Sequence, residues 1–527
     1  MKKLLLSAIT ALLPFCLSAQ TPVWSTDVAP LIYNNCTPCH HAGGIAPFTL
    51  IGYDSVAARA GSIKTDVLNG TMPPWPPDPN YSRLAHQRIL TPTQISTIVN
   101  WVNGGKPTGN MALQPPAPVY SAHGMIPGVP DLVCKIPTYT STAASGDVYQ
   151  CFVVPSGLLT DKYIRAFEAV PGNPACVHHV LVFADTTGAC AALDAATPGP
   201  GYPNFGGVGS SSATMVGVWV PGSDPMSYPS GFGLKLPHNA DVVLQVHYPA
   251  GSAGLTDSTE VHFFFAPTAG VREVYMEPLL YYETNLIGGP LHIPANTVKS
   301  YAEEMPGAQV FTDISMLGAF PHMHLLGQSI KSYGVSPAGD TTKFVSINKW
   351  DFHWQGFYMF PKLKKIQAGT KLRAEALYDN TSANPENPHT PPQDVNAGEA
   401  TTDEMMIVFF VFTFYQPGDE NIIADSVLLG TPSVPQNYYR GEHILDVSPN
   451  PASNDMVVKC YMENPEIGDM ALIDMNGKVV RRFMNNSPMN GGYTAYTYSV
   501  SGVPSGTYTL LLKTNQQILS KKIVVNH

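Results

Sequence analysis

Turn formers punctuate this chain so densely that long helices have little room. Of its 527 residues, 45 are Gly and 49 are Pro, with no collagen-like period, and both types end or kink helices. Between them lie alternating stretches such as ADVVLQVHYP (240–249) and TKLRAEALYD (370–379), the period of strands with one buried face. With 44 % hydrophobic and 13 % charged residues, the chain has enough apolar content to fold rather than stay disordered. At about 150 residues per domain, three or four units are expected, and the class is mainly β. A formal charge of −10 argues against a nucleic-acid partner and against a polybasic membrane contact.

Residues 1–20, MKKLLLSAITALLPFCLSAQ, read as a secretory signal peptide. Their apolar run is shorter than the roughly 20 residues of a transmembrane span, so an exported protein without a membrane-spanning segment is expected. Residues 21–106 read as helical at both ends. TPTQISTIVNWVNGG (91–105) has a Thr-Pro start and a Gly stop, the signals of a capped helix. A Pro-rich stretch, 107–119, reads as a linker. Residues 120–270 and 271–435 read as two β lobes, and a further break at 429–443 precedes a small all-β unit at 441–527. Cys16 leaves with the signal. An oxidising compartment favours disulfides, and Cys134–Cys151 with Cys176–Cys190 is the expected pairing, which leaves Cys460 over.

Cys36-Thr37-Pro38-Cys39-His40 is a CxxCH motif, the attachment pattern of c-type haem. Two thioethers hold the porphyrin and the adjacent imidazole becomes the fifth iron ligand. A zinc knuckle would need a second ligand pair, which the next ~100 residues lack. Met72, in GTMPPWPP, is the expected sixth ligand, since a thioether favours ferrous iron. His41 is too close to His40 to reach the opposite haem face. The segment resembles a short class-I-like cytochrome c domain, which implies iron and haem c as its cofactor.

Four separated elements carry ligand-type residues: CVHHVLVF with His178 and His179, VLQVHYP with His247, PHMHLLG with His322 and His324, and TTDEMMIVFF with Met405. His322 and His324 share a strand face and can converge on one ion. Neighbouring His178 and His179 point to opposite faces of a regular strand. They can share a metal only by using different ring nitrogens or through a bulge. Each element alone reads as a structural histidine. His238, His262, His292, His353 and His389 lack a partner at ligand spacing. Together, in this order, the four elements resemble the copper type II, ascorbate-dependent monooxygenases, the family of peptidylglycine α-hydroxylating and dopamine β-monooxygenases. GVWVPGSDPMSYPSGFGLKLP (217–237) and WQGFYMFPKLKKIQAGTKLRAEALYDN (354–380) add to the likeness, as do gaps of 68, 75 and 81 residues between the elements.

That resemblance implies two jelly-roll-like β-sandwich lobes and two copper ions. One copper would be held by His178, His179 and His247 for electron transfer, and the other by His322, His324 and Met405, where O2 is activated. Met406 is the alternative sulfur ligand. The implied activity is hydroxylation of a C–H bond of a small-molecule substrate, with ascorbate or another external reductant as electron donor. A tethered cytochrome offers a replacement donor at high effective concentration. Imidazole serves both copper oxidation states and a thioether favours Cu(I), whereas no carboxylate base accompanies either set for zinc hydrolysis. Two other classes stay open: a non-catalytic electron-transfer or copper-binding surface protein, and a β binding module without redox chemistry.

LDVSPNPASNDM (445–456), ALIDMNGKVV (471–480) and SGVPSGTYTLLLKTNQQILSKKIVV (501–525) resemble the C-terminal sorting domain of type IX secretion. That implies a small β-sandwich, the type IX machinery as partner, and a secreted or cell-surface protein of a Gram-negative bacterium exported through the periplasm. One departure from the copper family concerns substrate. Peptide-amidating members carry an arginine two residues ahead of HxH and polar residues after DEM, where this chain has Phe320, Ile407 and Phe409. An apolar wall cannot pair a buried carboxylate, so an apolar or aromatic substrate is expected. Incubation with a glycine-extended peptide is expected to yield no hydroxyglycine product, and its appearance in mass spectra would refute this reading.

Overall fold

Alternation dominates what the sequence builds, and strands follow it. In the computed structural model of the chain, 41 % is strand and 13 % helix, in line with the mainly β class. The structure describes residues 21–424 apart from 121–123 and 127, and residues 445–527 apart from 463–465, 475–477, 490–491 and 515–517. The expected signal segment and the break at 429–443 lie outside the described residues. No described helix is long and apolar enough to cross a membrane.

The chain divides into two compact units. The first comprises residues up to Thr37, Leu50–Pro73 and Ile89–Ala117. It holds helices α1 (Ala29–Asn35), α2 (Tyr53–Ala58), α3 (Ala60–Asn69) and α4 (Pro92–Asn103). Thr91 and Gln94 form a reciprocal capping box at the start of α4, with Pro92 at its first position and Gly104 at its end, the boundaries that its sequence dictates. Trp24 and Trp101 are fully buried, with ring centroids 6.0 Å apart and Tyr33 edge-on to Trp24. The stretch expected as a free linker is tied to this aromatic cluster. Trp24 N–H donates to Pro107 O (2.9 Å), Ser25 N–H to Thr108 O (3.0 Å) and Trp24 Nε1–H to Gln114 Oε1 (2.6 Å). A buried indole N–H needs an acceptor, and Gln114 provides it.

The second unit comprises Pro38–Thr49, Pro74–Arg88 and Pro118 onward. Strands β1 (Val148–Pro155), β2 (His179–Asp185) and β3 (Asp241–Tyr248) form the middle of a five-stranded antiparallel sheet, with β3 between the other two. A nine-stranded sheet runs from Leu132–Lys135 to Tyr358–Ile366, and includes β4 (Ile314–His322) and β5 (Ile407–Phe414) as neighbours. The expected lobe border near 270 does not interrupt it. Arg272, Glu273 and Val274 pair in parallel with Phe232, Gly233 and Leu234, so backbone bonding continues across that border. Val180, Val182, Val242 and Leu244 of the five-stranded sheet share a core with Phe167 and Phe263 of the nine-stranded one. A second core joins Met316, Ala319 and Phe410 to Ile330, Phe344 and Tyr378 of a four-stranded sheet. The segment between α3 and α4 is clipped into this second core. Leu84 is buried in it, Asp78 N–H donates to Ser346 O and Ala85 N–H to Met359 O, both at 2.8 Å.

The expected disulfide pairing is corrected. Cys134 and Cys176 lie in the first core, whereas Cys151 and Cys190 lie in a separate cluster with Tyr202 and Val208, so each expected pair is split and all four are free thiols. The cause is the period of two along β1. Phe152 enters the first core, which sends Cys151 to the other face. At the C-terminus, a three-stranded and a four-stranded sheet enclose Val458, Met470, Leu472, Leu510 and Ile523, which fits the all-β unit read from the sequence.

One buried ion pair ties the nine-stranded sheet to the turn after β5. Arg272 donates to both Asp419 oxygens at 2.5 and 2.8 Å, and Ser315 Oγ donates to Asp419 at 2.6 Å. Burial works against the Asp419 carboxylate, but Arg272, Ser315 and the Gln416 amide hold its carboxyl down to about 2. Because the folded pKa is depressed, the stabilisation is present above the usual carboxylate range and is lost as pH falls through about 2. Asp419→Ala leaves the guanidinium without its carboxylate and with only the Phe414 carbonyl to accept from it. It is expected to cost about 3 kcal/mol at neutral pH, read as a lowered denaturant midpoint with an unchanged slope.

Candidate metal centres

The first centre is a product of strand register. His247 on β3 stands opposite His179 on β2 and, on its other side, opposite Tyr149 on β1. His178 precedes β2, and its N–H donates to the His247 carbonyl at 2.8 Å. It is therefore not held to the alternation that would send it to the opposite face. Nδ1 of His179 lies 3.2 Å from Nδ1 of His178 and 3.3 Å from Nδ1 of His247. Among the described residues these three make up the group of His, Cys, Asp or Glu whose ligand atoms all lie within 4.8 Å of one another. All three rings offer the same nitrogen, so the adjacency is resolved by backbone placement and not by mixed ring nitrogens. Tyr149 stacks on His247 at 4.2 Å, and Asp147 Oδ2 is 3.2 Å from His247 Nε2, close in distance though poorly aligned for a hydrogen bond.

The second centre uses the opposite ring nitrogens. His322 ends β4 opposite Ile407 at the start of β5. Its Nδ1 lies 2.6 Å from Gln355 Oε1, and Nδ1 of His324 lies 3.0 Å from the Asp403 carbonyl. With each Nδ1–H donated outward, Nε2 is the nitrogen left for an ion. The two rings are 5.1 Å apart. Glu404 clips the ligand segments together, accepting from the amides of His324 (3.0 Å), Leu326 (2.6 Å) and Met405 (3.2 Å). Tyr378 Oη donates to Met405 O at 2.7 Å. Met405 also lies in the second core, 6 % exposed. Met406 is fully buried in the second core.

Electrostatics suit a cation at both places. Burial pushes His178 down to about 4, His322 to about 3 and His324 to about 4, and takes His179 well below its usual value. All four are therefore neutral at pH 7 with lone pairs available, as metal ligands must be. The loop Asp351–Gly356 joins the two centres. The Phe352 ring stacks on His178 at 6.1 Å and meets His324 edge-on at 5.8 Å, and His353 lies 6.1 Å from His178. Neither Phe352 nor Gln355 stands out in the sequence, and His353 reads there as unpartnered. The density of aromatic and polar residues in DFHWQG is the one signal that could have marked them. Phe320 packs on Phe409 at 5.9 Å and on Phe357 at 6.2 Å beside His322, so the apolar wall read from the sequence borders the second centre.

The CxxCH residues fall in both units and are described separately. Cys36 closes α1, its N–H donating to Ile32 O at 2.9 Å, and Met72, in the same unit, is 43 % exposed. In the second unit, His40 Nδ1 lies 3.1 Å from the Phe48 carbonyl, which fixes the tautomer whose Nε2 carries the lone pair. Burial pushes the Cys39 thiol up, with Arg88 pulling it down and Asp224 raising it. His40 Nε2 is thus the ring nitrogen left to accept.

Comparison with known proteins finds two partial family matches. Residues 293–427 match the copper type II ascorbate-dependent monooxygenase C-terminal domain, and residues 446–526 match the secretion system C-terminal sorting domain. The chain is similar to DBH-like monooxygenase protein 1 from Gallus gallus, 25 % identical over 34 % of this chain and 31 % of that protein. The Mus musculus and Homo sapiens proteins of that name are 25 % and 23 % identical, over 44 % and 40 % of this chain and 40 % and 36 % of theirs. The chain thus spans well under half the length of these relatives. A β-glucuronidase from glycoside hydrolase family 2 is similar in structure, 10 % identical over 44 % of this chain and 24 % of that one, at a TM-score of 0.14, too low to bear on fold or function.

Glu404→Gln places an amide nitrogen where one oxygen accepts a backbone N–H. It is expected to weaken copper at the second centre about 10- to 100-fold and leave the first unchanged, as read by copper titration of both proteins.

Proposed function

We propose that this chain is an exported copper-dependent monooxygenase that hydroxylates a C–H bond of a small apolar or aromatic substrate with O2. What carries the reading is the pair of imidazole nests, bridged by Phe352 and differing in donor nitrogen. His178, His179 and His247 would hold one copper through Nδ1, and His322 and His324 would hold the other through Nε2 with the Met405 sulfur. Copper, when bound, supplies one-electron chemistry with O2. The residues do the rest. Gln355 and the Asp403 carbonyl orient the second pair of rings, Glu404 holds their backbone, and Phe320, Ile407 and Phe409 exclude water and charged groups from the substrate side.

Two identical nests would serve binding, whereas a thioether at one alone biases that centre toward Cu(I). The first centre would then exchange electrons and the second would meet O2. Cys36, Cys39 and His40 would carry a haem c, with Met72 as its sixth ligand. That haem, or ascorbate or another external reductant, would act as donor. The lobes would be the two jelly-roll-like β-sandwiches of the copper family, and the C-terminal unit would direct type IX export to the cell surface or beyond.

Oxygen uptake under reductant tests the proposal. The copper-loaded protein is expected to consume O2, and Met405→Ala to lose that uptake while keeping the copper at His178, His179 and His247. Two bound coppers without uptake would leave a copper-binding electron carrier, and no bound copper would leave a binding module.

A further inference from the structure

Within the second unit, His262 is a buried histidine with a carboxylate on each ring nitrogen. Period two along Glu260–Phe265 sends Val261 and Phe263 into the first core and turns His262 and Phe264 to the other face of the nine-stranded sheet. There His262 stands opposite Glu168 of the strand Lys162–Val170. Its Nδ1 lies 3.3 Å from Glu168 Oε1 and its Nε2 3.0 Å from Glu260 Oε1, with His262 and Glu168 both 3 % exposed. A carboxylate only accepts, so both nitrogens carry a proton and the ring is an imidazolium. Lys135, at the end of the strand Leu132–Lys135, reaches the second Glu260 oxygen at 3.3 Å. Two cations then balance two anions, the condition under which charge stays buried. The remaining oxygen, Glu168 Oε2, accepts from the amides of Met125 (2.6 Å) and Ile126 (3.0 Å), and Ile126 packs with Ala166 and Phe264. Gly124 has φ +110°, and a Cβ on it would clash with Glu168 Oε1, so only bare backbone can come this close.

We propose that His262 works a pH-sensitive clasp: as imidazolium it fixes Glu168 against the backbone of residues 124–126, and as neutral imidazole it lets that segment loosen. The segment follows shortly after Ala117, where the chain leaves the first unit, and leads into the strand Leu132–Lys135. Glu168, Glu260 and Lys135 are the charged groups that face the ring among the described residues, and Arg165 lies over the neighbouring Phe264 at 5.4 Å. Gly124, Met125 and Ile126 add no charge. Burial disfavours the charge on His262, but the two carboxylates outweigh it and raise the pKa above the usual histidine value. The stabilisation is therefore complete below the usual value and is lost as pH rises through the raised one. A neutral ring has one N–H for two carboxylates, so a lone pair then faces one of them and the buried glutamates lose a counter-charge.

The test uses the full chain, from mildly acid to alkaline pH. Hydrogen–deuterium exchange, corrected for its intrinsic pH dependence, reads the protection of a peptide covering 124–126, and NMR of isotope-labelled histidine reads the charge on His262. Protection is expected to fall about 10-fold over the same pH range in which the ring loses its proton. His262→Gln, which cannot take a charge, is expected to flatten that pH dependence, and Glu168→Gln to lower protection at every pH. A ring already neutral at pH 7 in the unaltered chain overturns the proposal without recourse to a variant. So does protection that stays constant while His262 titrates, or a pH dependence that survives in His262→Gln. An equal loss of protection in the strand Asp241–Tyr248 would show the whole unit loosening and would also overturn it.

Discussion

Strand register is the constraint from which both centres follow. A slip of one residue between β2 and β3 would turn His247 away from His179 and send its ring into the apolar core, because side chains alternate with period two. The paired cores hold that register. Val180, Val182, Val242 and Leu244 face Phe167 and Phe263, and the observed pairing of His247 with His179 is in phase with that burial. The same logic fixes His322 opposite Ile407. Ligand placement is therefore stabilised by hydrophobic burial, and the ligands add little to it themselves.

A bound cation would offset part of the cost of burying these imidazoles. Burying polar groups without partners is unfavourable. At the first centre the Nδ1 atoms of three rings converge on one another at 3.2 and 3.3 Å. At the second the outward nitrogens are satisfied by Gln355 and Asp403, and the inward ones are left for an ion. At the second centre Gln355 and the Asp403 carbonyl choose the tautomer by accepting from Nδ1–H. Phe352 keeps the two nests close while holding them apart.

Much of this was legible in the sequence because period-two alternation and ligand spacing are local. The strands, the capping box at Thr91, the His322–His324 pair and the apolar wall at Phe320 and Phe409 all come from short windows. What escaped depends on non-local contact. The placement of His178 comes from a hydrogen bond that its N–H donates to the carbonyl of His247, 69 residues away. Gln355 gains its role from His322, 33 residues earlier in the chain, and the pinning of 107–114 depends on Trp24. The cysteine pairing failed for a related reason. Spacing carries no information about which sheet face a thiol takes, and β1 places Phe152 and Cys151 on opposite sides.

X-ray absorption at the copper edge, on protein loaded to saturation and reduced, reaches the centre of this account most directly. Two coppers per chain are expected, both in imidazole shells and one of them with a sulfur neighbour that disappears in Met405→Ala. Fewer than two coppers per chain, or a sulfur shell that survives the loss of Met405, would contradict it.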